Sequence, residues 1–131
     1  SMSPDFLTLD EVLEIHRDQI ERYGGGEGIR DLGLLQSALA QPSATSGGQY
    51  LHADLHEMAA AYLYHLVQNH PFLDGNKRVG AATAITFLFM NNQDISATED
   101  ELVALVLSVA QSQLDKAAVA TFFREHAFGS E

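Results

Sequence analysis

The stretch from Val79 to Met90 constrains this chain most, because it is nearly apolar all round: Gly80, Ala81, Ala82 and Ala84 stand among Ile85, Phe87, Leu88 and Phe89. A helix without a polar face is stable only inside a bundle, and its small residues let neighbouring helices approach closely. The rest of the chain offers amphipathic helices to surround it. Thr8 with Glu11 forms a capping box ahead of Leu9, Val12, Leu13, His16 and Ile20, which recur at helical spacing through residue 23. A short helix is expected over 31–40, with Asp31 as N-cap and Pro42 beyond its end. A longer one over 53–69 turns Leu55, Met58, Ala59, Tyr62 and Leu66 to a core. Thr98 with Glu101 caps a helix to about Gln113, and Asp115 caps a last one through about His126. His16 falls on the first apolar stripe and reads as a core or boundary histidine. The predicted architecture is all-α, one domain over residues 1–131, a bundle of about six helices.

Composition narrows the function classes. The chain is 46% hydrophobic, yet no run of about eighteen apolar residues marks a membrane span. A net charge of −11 repels nucleic acid, so direct DNA or RNA binding is disfavoured. Without cysteine there is no disulfide or thiolate metal site, which agrees with a cytoplasmic setting. No basic and apolar leader is read at the start, and Ser1 ahead of Met2 is set aside as foreign to the native start.

The chemistry gathers between the long helix and the apolar one, in HPFLDGNKR, residues 70–78. The helical pattern ends near Asn69, Pro71 stops it, and the next helix follows, so the segment is a loop leading into a helix N-terminus. Such a start offers unpaired N–H groups and the positive end of the helix dipole to an anion. His70 is of the residue type that suits a general base taking a proton from a hydroxyl beside a bound phosphate. Asp74 is a hard carboxylate of the kind that holds Mg2+ shared with phosphate oxygens. Asn76, Lys77 and Arg78 bring neutral, point-charge and forked donors, and Gly75 lets the backbone turn and approach the ligand closely.

HPFLDGNKR resembles the signature of the Fic/Doc superfamily: His, any residue, Phe, any residue, Asp/Glu/Asn, a small residue, Asn, a variable position and Arg. Adenylyl-transferring members carry Gly at the variable position and a second Arg three residues after the first; this chain has Lys77 and Ala81 there. Both differences resemble the death-on-curing (Doc) toxins, ATP-dependent protein kinases acting on a hydroxyl residue of translation elongation factor Tu. YGGGEGIRD, residues 23–31, continuing through Gly33, Leu34, Leu35 and Ala38, resembles a second signature of the Doc-like proteins. As a bare sequence the same stretch reads as a helix stop, a loop and the Asp31 cap, since its glycines do not follow GxGxxG and no strand precedes them. The resemblance covers roughly Leu9 to Gly80. It implies a Fic/Doc-type helical bundle with a short flap before the motif helix pair, by position Ser43 to Leu51, docking a target segment by strand addition. It also implies ATP and Mg2+ as cofactors and a separately encoded Phd-like antitoxin whose disordered tail folds onto the toxin. Lys77 fills the space that Gly leaves for inner phosphates, so ATP is expected to present its terminal phosphoryl group to His70.

Three rival readings remain open. The same site supports adenylyl transfer to a protein hydroxyl, or a lapsed site that only grips a partner. His52 and His56, four apart, suggest a zinc hydrolase, against which the HExxH order is absent and no third ligand announces itself. Thr121, Glu125 and His126 approach the inhibitory motif of some Fic enzymes, but its last position differs, and an amphipathic helix on Val119, Phe122 and Phe123 explains them.

Overall fold

The computed structural model describes residues 3–129, so the reading of Ser1 and Met2 falls outside the described residues. Among the described residues six helices carry the fold: α1 (Leu9–Tyr23), α2 (Leu32–Ala40), α3 (Leu55–Asn69), α4 (Asn76–Met90), α5 (Glu99–Ala110) and α6 (Lys116–His126). The all-α expectation is borne out. Five of the helices start on a side chain that accepts the N–H three residues on: Thr8 from Glu11, Asp31 from Leu34, Asp54 from Glu57, Thr98 from Glu101 and Asp115 from Ala118. Both capping boxes are complete, each locking a start that the sequence alone specifies. At α4 the N-cap is Gly75, and no side chain among the described residues caps the helix.

The expected flap is a small hairpin, β1 (Thr45–Ser46) against β2 (Gln49–Tyr50), turned by Gly47 and Gly48 at φ 59° and 80°. Positive φ at both turn residues is what a two-residue hairpin demands. A second pair was not expected: β3 (Gln93–Ile95) runs antiparallel to β4 (Ala127–Gly129), fastening the end of α6 to the exit of α4. Strands of three residues carry too little alternation to be seen in sequence. α5 also stops at Ala110, short of Gln113, where Ser112 turns the chain at φ 58°.

α4 packs chiefly on α3 and also on α1 and α5. Tyr62, Phe72, Phe87 and Phe123 are the largest fully buried side chains, and the Tyr62 hydroxyl accepts the N–H of Leu7 at 3.0 Å. The small residues have the expected role at Gly80, where an added Cβ would lie 2.8 Å from Val67 Cγ2 and 3.3 Å from the Leu63 carbonyl oxygen. Gly80→Ala is therefore expected to cost about 1–3 kcal/mol by overpacking, read as a lower urea midpoint. An unchanged midpoint would show that α3 and α4 have slack there.

The expectation that α4 is sheathed all round holds on one side only. Ala81, Ala82 and Ile85 are half-buried and floor a groove of about 560 Å³, with Leu102, Val103 and Leu107 of α5 opposite them. The small side chains at 81 and 82 leave depth that α5 does not fill. Phe89 is exposed. Among the described residues no helix is long and apolar enough to cross a membrane.

Candidate active site

α3 ends at Asn69 and α4 begins at Asn76, and the loop between them is built against the glycine-rich segment after α1. His70 is the C-cap of α3, in the left-handed region at φ 50° and ψ 51°. Arg30 Nε donates to the His70 carbonyl at 2.6 Å, Arg30 Nη2 to the Asn69 carbonyl at 2.9 Å, and the Arg30 backbone N–H to the Pro71 carbonyl at 2.7 Å. Ile29 and Phe72 form an isolated antiparallel bridge, and Leu73 N–H donates to the Gly28 carbonyl at 3.1 Å. Segment 24–31 is thus the wall of the loop, a role its sequence showed only as a family match.

Inside the loop, Phe72 is buried and Asn76 holds it by both backbone groups. The Asn76 Oδ1 accepts from Phe72 N–H at 2.9 Å, and Asn76 Nδ2 donates to the Phe72 carbonyl at 3.0 Å. His16 stacks on the Phe72 ring with centroids 3.9 Å apart and planes within 7°. Its Nε2 lies 2.9 Å from the Asp74 carbonyl oxygen, which requires the tautomer with the proton on Nε2. The reading of His16 as a core or boundary histidine is borne out, and its backbone contact adds a fixing point that periodicity did not reveal.

Of the residues singled out in the sequence, His70, Asp74 and Lys77 are exposed around the start of α4, with Gly75 between them at φ 80°. The Asp74 carboxylate accepts from the N–H of Gly75 at 2.8 Å and of Gly26 at 3.3 Å. These two donors, and then the charges of Arg78 and Lys77, hold it below the usual carboxyl range, so it is ionised at neutral pH. An exposed, ionised carboxylate beside a helix N-terminus is of the kind that suits Mg2+, which takes one or two carboxylates plus phosphate oxygens. Gly25 makes room for it: a Cβ there would lie 2.6 Å from Asp74 Oδ2.

Asn76 and Arg78 differ from the expectation that their side chains face outward as phosphate donors. The Asn76 amide is buried on Phe72. The Arg78 guanidinium donates to the carbonyls of Gln19 at 3.1 Å and Gly24 at 3.0 Å, over the Tyr23 ring. Those carbonyls end α1, where a cation is favoured by the helix dipole. The hairpin at 45–50 packs beside the far half of α4. Tyr50 stands against Phe6, which stacks on Phe87, about 16 Å along α4 from Asn76.

A separate cavity of about 340 Å³ between α3 and α6 is lined by His52, Glu57, Lys116, Thr121 and Arg124 among others. Among the described residues no group of three or more His, Cys, Asp or Glu side chains is placed to hold a metal, so the zinc reading of His52 and His56 gains no third ligand. Beside the cavity, Lys116 Nζ lies 3.0 Å from His65 Nε2 and must be the donor, which leaves that imidazole neutral. Burial, then the Lys116 charge and His52, push His65 down to about 4. The unfolded chain, with an ordinary histidine near about 6.5, takes up the proton first. The stability is therefore whole above about pH 6.5 and is lost as pH falls towards 4. We expect the urea midpoint to decline over that window and His65→Gln to flatten the decline; an equally steep profile in the variant would assign it elsewhere.

With this geometry established, a family model for the Fic/DOC family matches residues 6–88. The chain belongs to the Fic/DOC family. Its curated relatives lie on the Doc side of that family. One is Toxin Doc of Mycolicibacterium smegmatis, 44% identical over 78 residues, a match that spans 60% of this chain and 60% of that protein's length. Another is Protein kinase doc of Escherichia phage P1, 30% identical over 118 residues, covering 90% of this chain and 92% of that protein.

Proposed function

We propose that this chain is the toxin of a toxin–antitoxin pair and an ATP-dependent protein kinase. It would transfer the terminal phosphoryl group of ATP to a Ser or Thr hydroxyl of a translation factor, elongation factor Tu. The observation that carries the reading is the start of α4: no side chain among the described residues caps it, exposed His70 and Asp74 stand in the loop ahead of it, and exposed Lys77 is in its first turn. Free N–H groups at a helix N-terminus, beside an ammonium and a base, fit a transferable phosphoryl group better than they fit structural use. The names of the two relatives, a toxin and a protein kinase, support the same class.

In this reading His70 accepts the proton of the attacking hydroxyl. Lys77 and the first N–H groups of α4 hold the phosphate oxygens, with Gly75 giving the backbone its close approach. Arg78 adds positive potential from its place at the end of α1, and Asn76 keeps the loop in shape from beneath. Asp74 would hold Mg2+, which neutralises charge on the phosphates and orients them. Adenylyl transfer is the rival, and Lys77 in place of Gly speaks against it. Incubating the protein and elongation factor Tu with ATP labelled at the α or the γ phosphate separates the two. Label arriving from γ on a Ser or Thr is the expected result; label from α reverses the assignment, and transfer to neither position rejects both.

The antitoxin is taken to be Phd-like, with a tail that folds on binding. The groove beside α4 fits such a segment, with an apolar floor and with Lys77 and Arg78 at one end for an acidic residue. Leu107, exposed on its α5 wall, lies outside the phosphate loop. Leu107→Asp is expected to weaken neutralisation by the cognate antitoxin about tenfold or more while phosphoryl transfer is unchanged. Full neutralisation of the variant would move the partner elsewhere.

A further inference from the structure

We propose that Arg30 is the positioning residue that fixes His70, an inference that rests on the reading of His70 as the base. His70 is in the left-handed region, which a residue with a Cβ occupies when its surroundings impose it. Arg30 is the surrounding that does so. Its guanidinium edge spans two successive carbonyls, with Nε on His70 and Nη2 on Asn69, while its own backbone N–H takes the carbonyl of Pro71. Three consecutive carbonyls thus meet one residue forty positions away in sequence, the Pro71 carbonyl being shared with the Asp31 N–H at 3.0 Å. Among the described residues no other side chain donates to these three carbonyls.

The arrangement matches what the end of α3 needs. Its last carbonyls carry the negative end of the helix dipole, and they stand next to the place where a phosphate is expected. A guanidinium on them satisfies the acceptors and offsets their charge. Lysine would bring the charge without the fork, because one ammonium cannot reproduce the planar two-point contact. Nor is Arg30 a core residue: it is exposed, and among the described residues no carboxylate lies within 4.0 Å of it. Its role is confined to the backbone that carries the imidazole.

The test begins with the wild-type protein and γ-labelled ATP. If no γ phosphoryl group is transferred, the reading of the site fails, whatever Arg30 does. With wild-type transfer in hand, Arg30→Ala and Arg30→Lys are both expected to lower kcat by about 10- to 100-fold, with KM for ATP changed by less than about threefold. Methylguanidinium in the assay should restore transfer to the alanine variant, where the space is open, and not to the lysine variant. Wild-type kcat in either folded variant overturns the proposal. So does a loss in the alanine variant that follows its melting temperature and resists rescue. Should Arg30→Ala not fold, the lysine variant decides by its ratio of kcat to KM effects.

Discussion

Replacing His70 by alanine is expected to reduce phosphoryl transfer by about 10²- to 10⁴-fold, the range that a positioned general base supplies. ATP affinity and melting temperature should stay close to those of the parent. The reason lies in how His70 is held. Its carbonyl receives Arg30, and its imidazole is exposed, so the side chain can be removed without breaking the frame. Both His and Ala carry a Cβ into the left-handed conformation at a cost of about 1–2 kcal/mol, so the backbone penalty is shared and largely cancels. The measurement is a γ-label transfer rate beside a thermal melt and an ATP titration. A purified His70→Ala protein that transfers phosphoryl groups at the parental rate removes His70 from the chemistry.

The second large effect concerns Asn76 and is one of stability. Asn76→Ala removes the partners of both the N–H and the carbonyl of Phe72, a buried residue at the centre of the loop. Leaving buried backbone groups unpaired costs about 1–3 kcal/mol for each, so a loss of about 2–4 kcal/mol is expected once some water reaches them. Phe72 also supports the ring of His16, which in turn fixes Asp74, so the damage reaches the carboxylate that would hold Mg2+. Asn76→Asp separates the two contacts: it can still accept from the Phe72 N–H but sets a carboxylate against the Phe72 carbonyl. Urea unfolding of both variants is the check. A change within about 0.5 kcal/mol of wild type would mean that Asn76 faces solvent and returns it to the phosphate donors.

These two residues show which parts of the site a sequence discloses. HPFLDGNKR identified the loop and the family, and it put forward His70 as the base, because the candidate side chains lie within nine residues. It did not separate the donors that face a ligand from those that face the protein. Asn76 and Arg78 have the same donor chemistry in either role, and their partners are backbone carbonyls, which every residue carries. Arg30 and His16 were hidden for the same reason, since each reaches an acceptor tens of residues away that no side-chain pattern marks. The helix starts were legible because caps are local: Thr8, Asp31, Thr98 and Asp115 each act within three residues. Asp54 is a cap of the same kind that the reading of 53–69 passed over. The hairpin at 45–50 formed where the family resemblance put it, while its packing on Phe6 depended on tertiary contacts outside that stretch.

The wall and the loop lie far apart along the chain, with Arg78 reaching back 59 residues to Gln19 and His16 forward 58 to Asp74. A peptide copied from residues 55–90 would own every residue proposed for the chemistry and still lack the clasp that gives them their geometry. Under the proposed function, catalysis and global folding should accordingly share one denaturation curve, with no half-open form that stays competent. During synthesis the same dependence sets an order of events: nothing reactive exists until both distant segments have emerged and closed on each other.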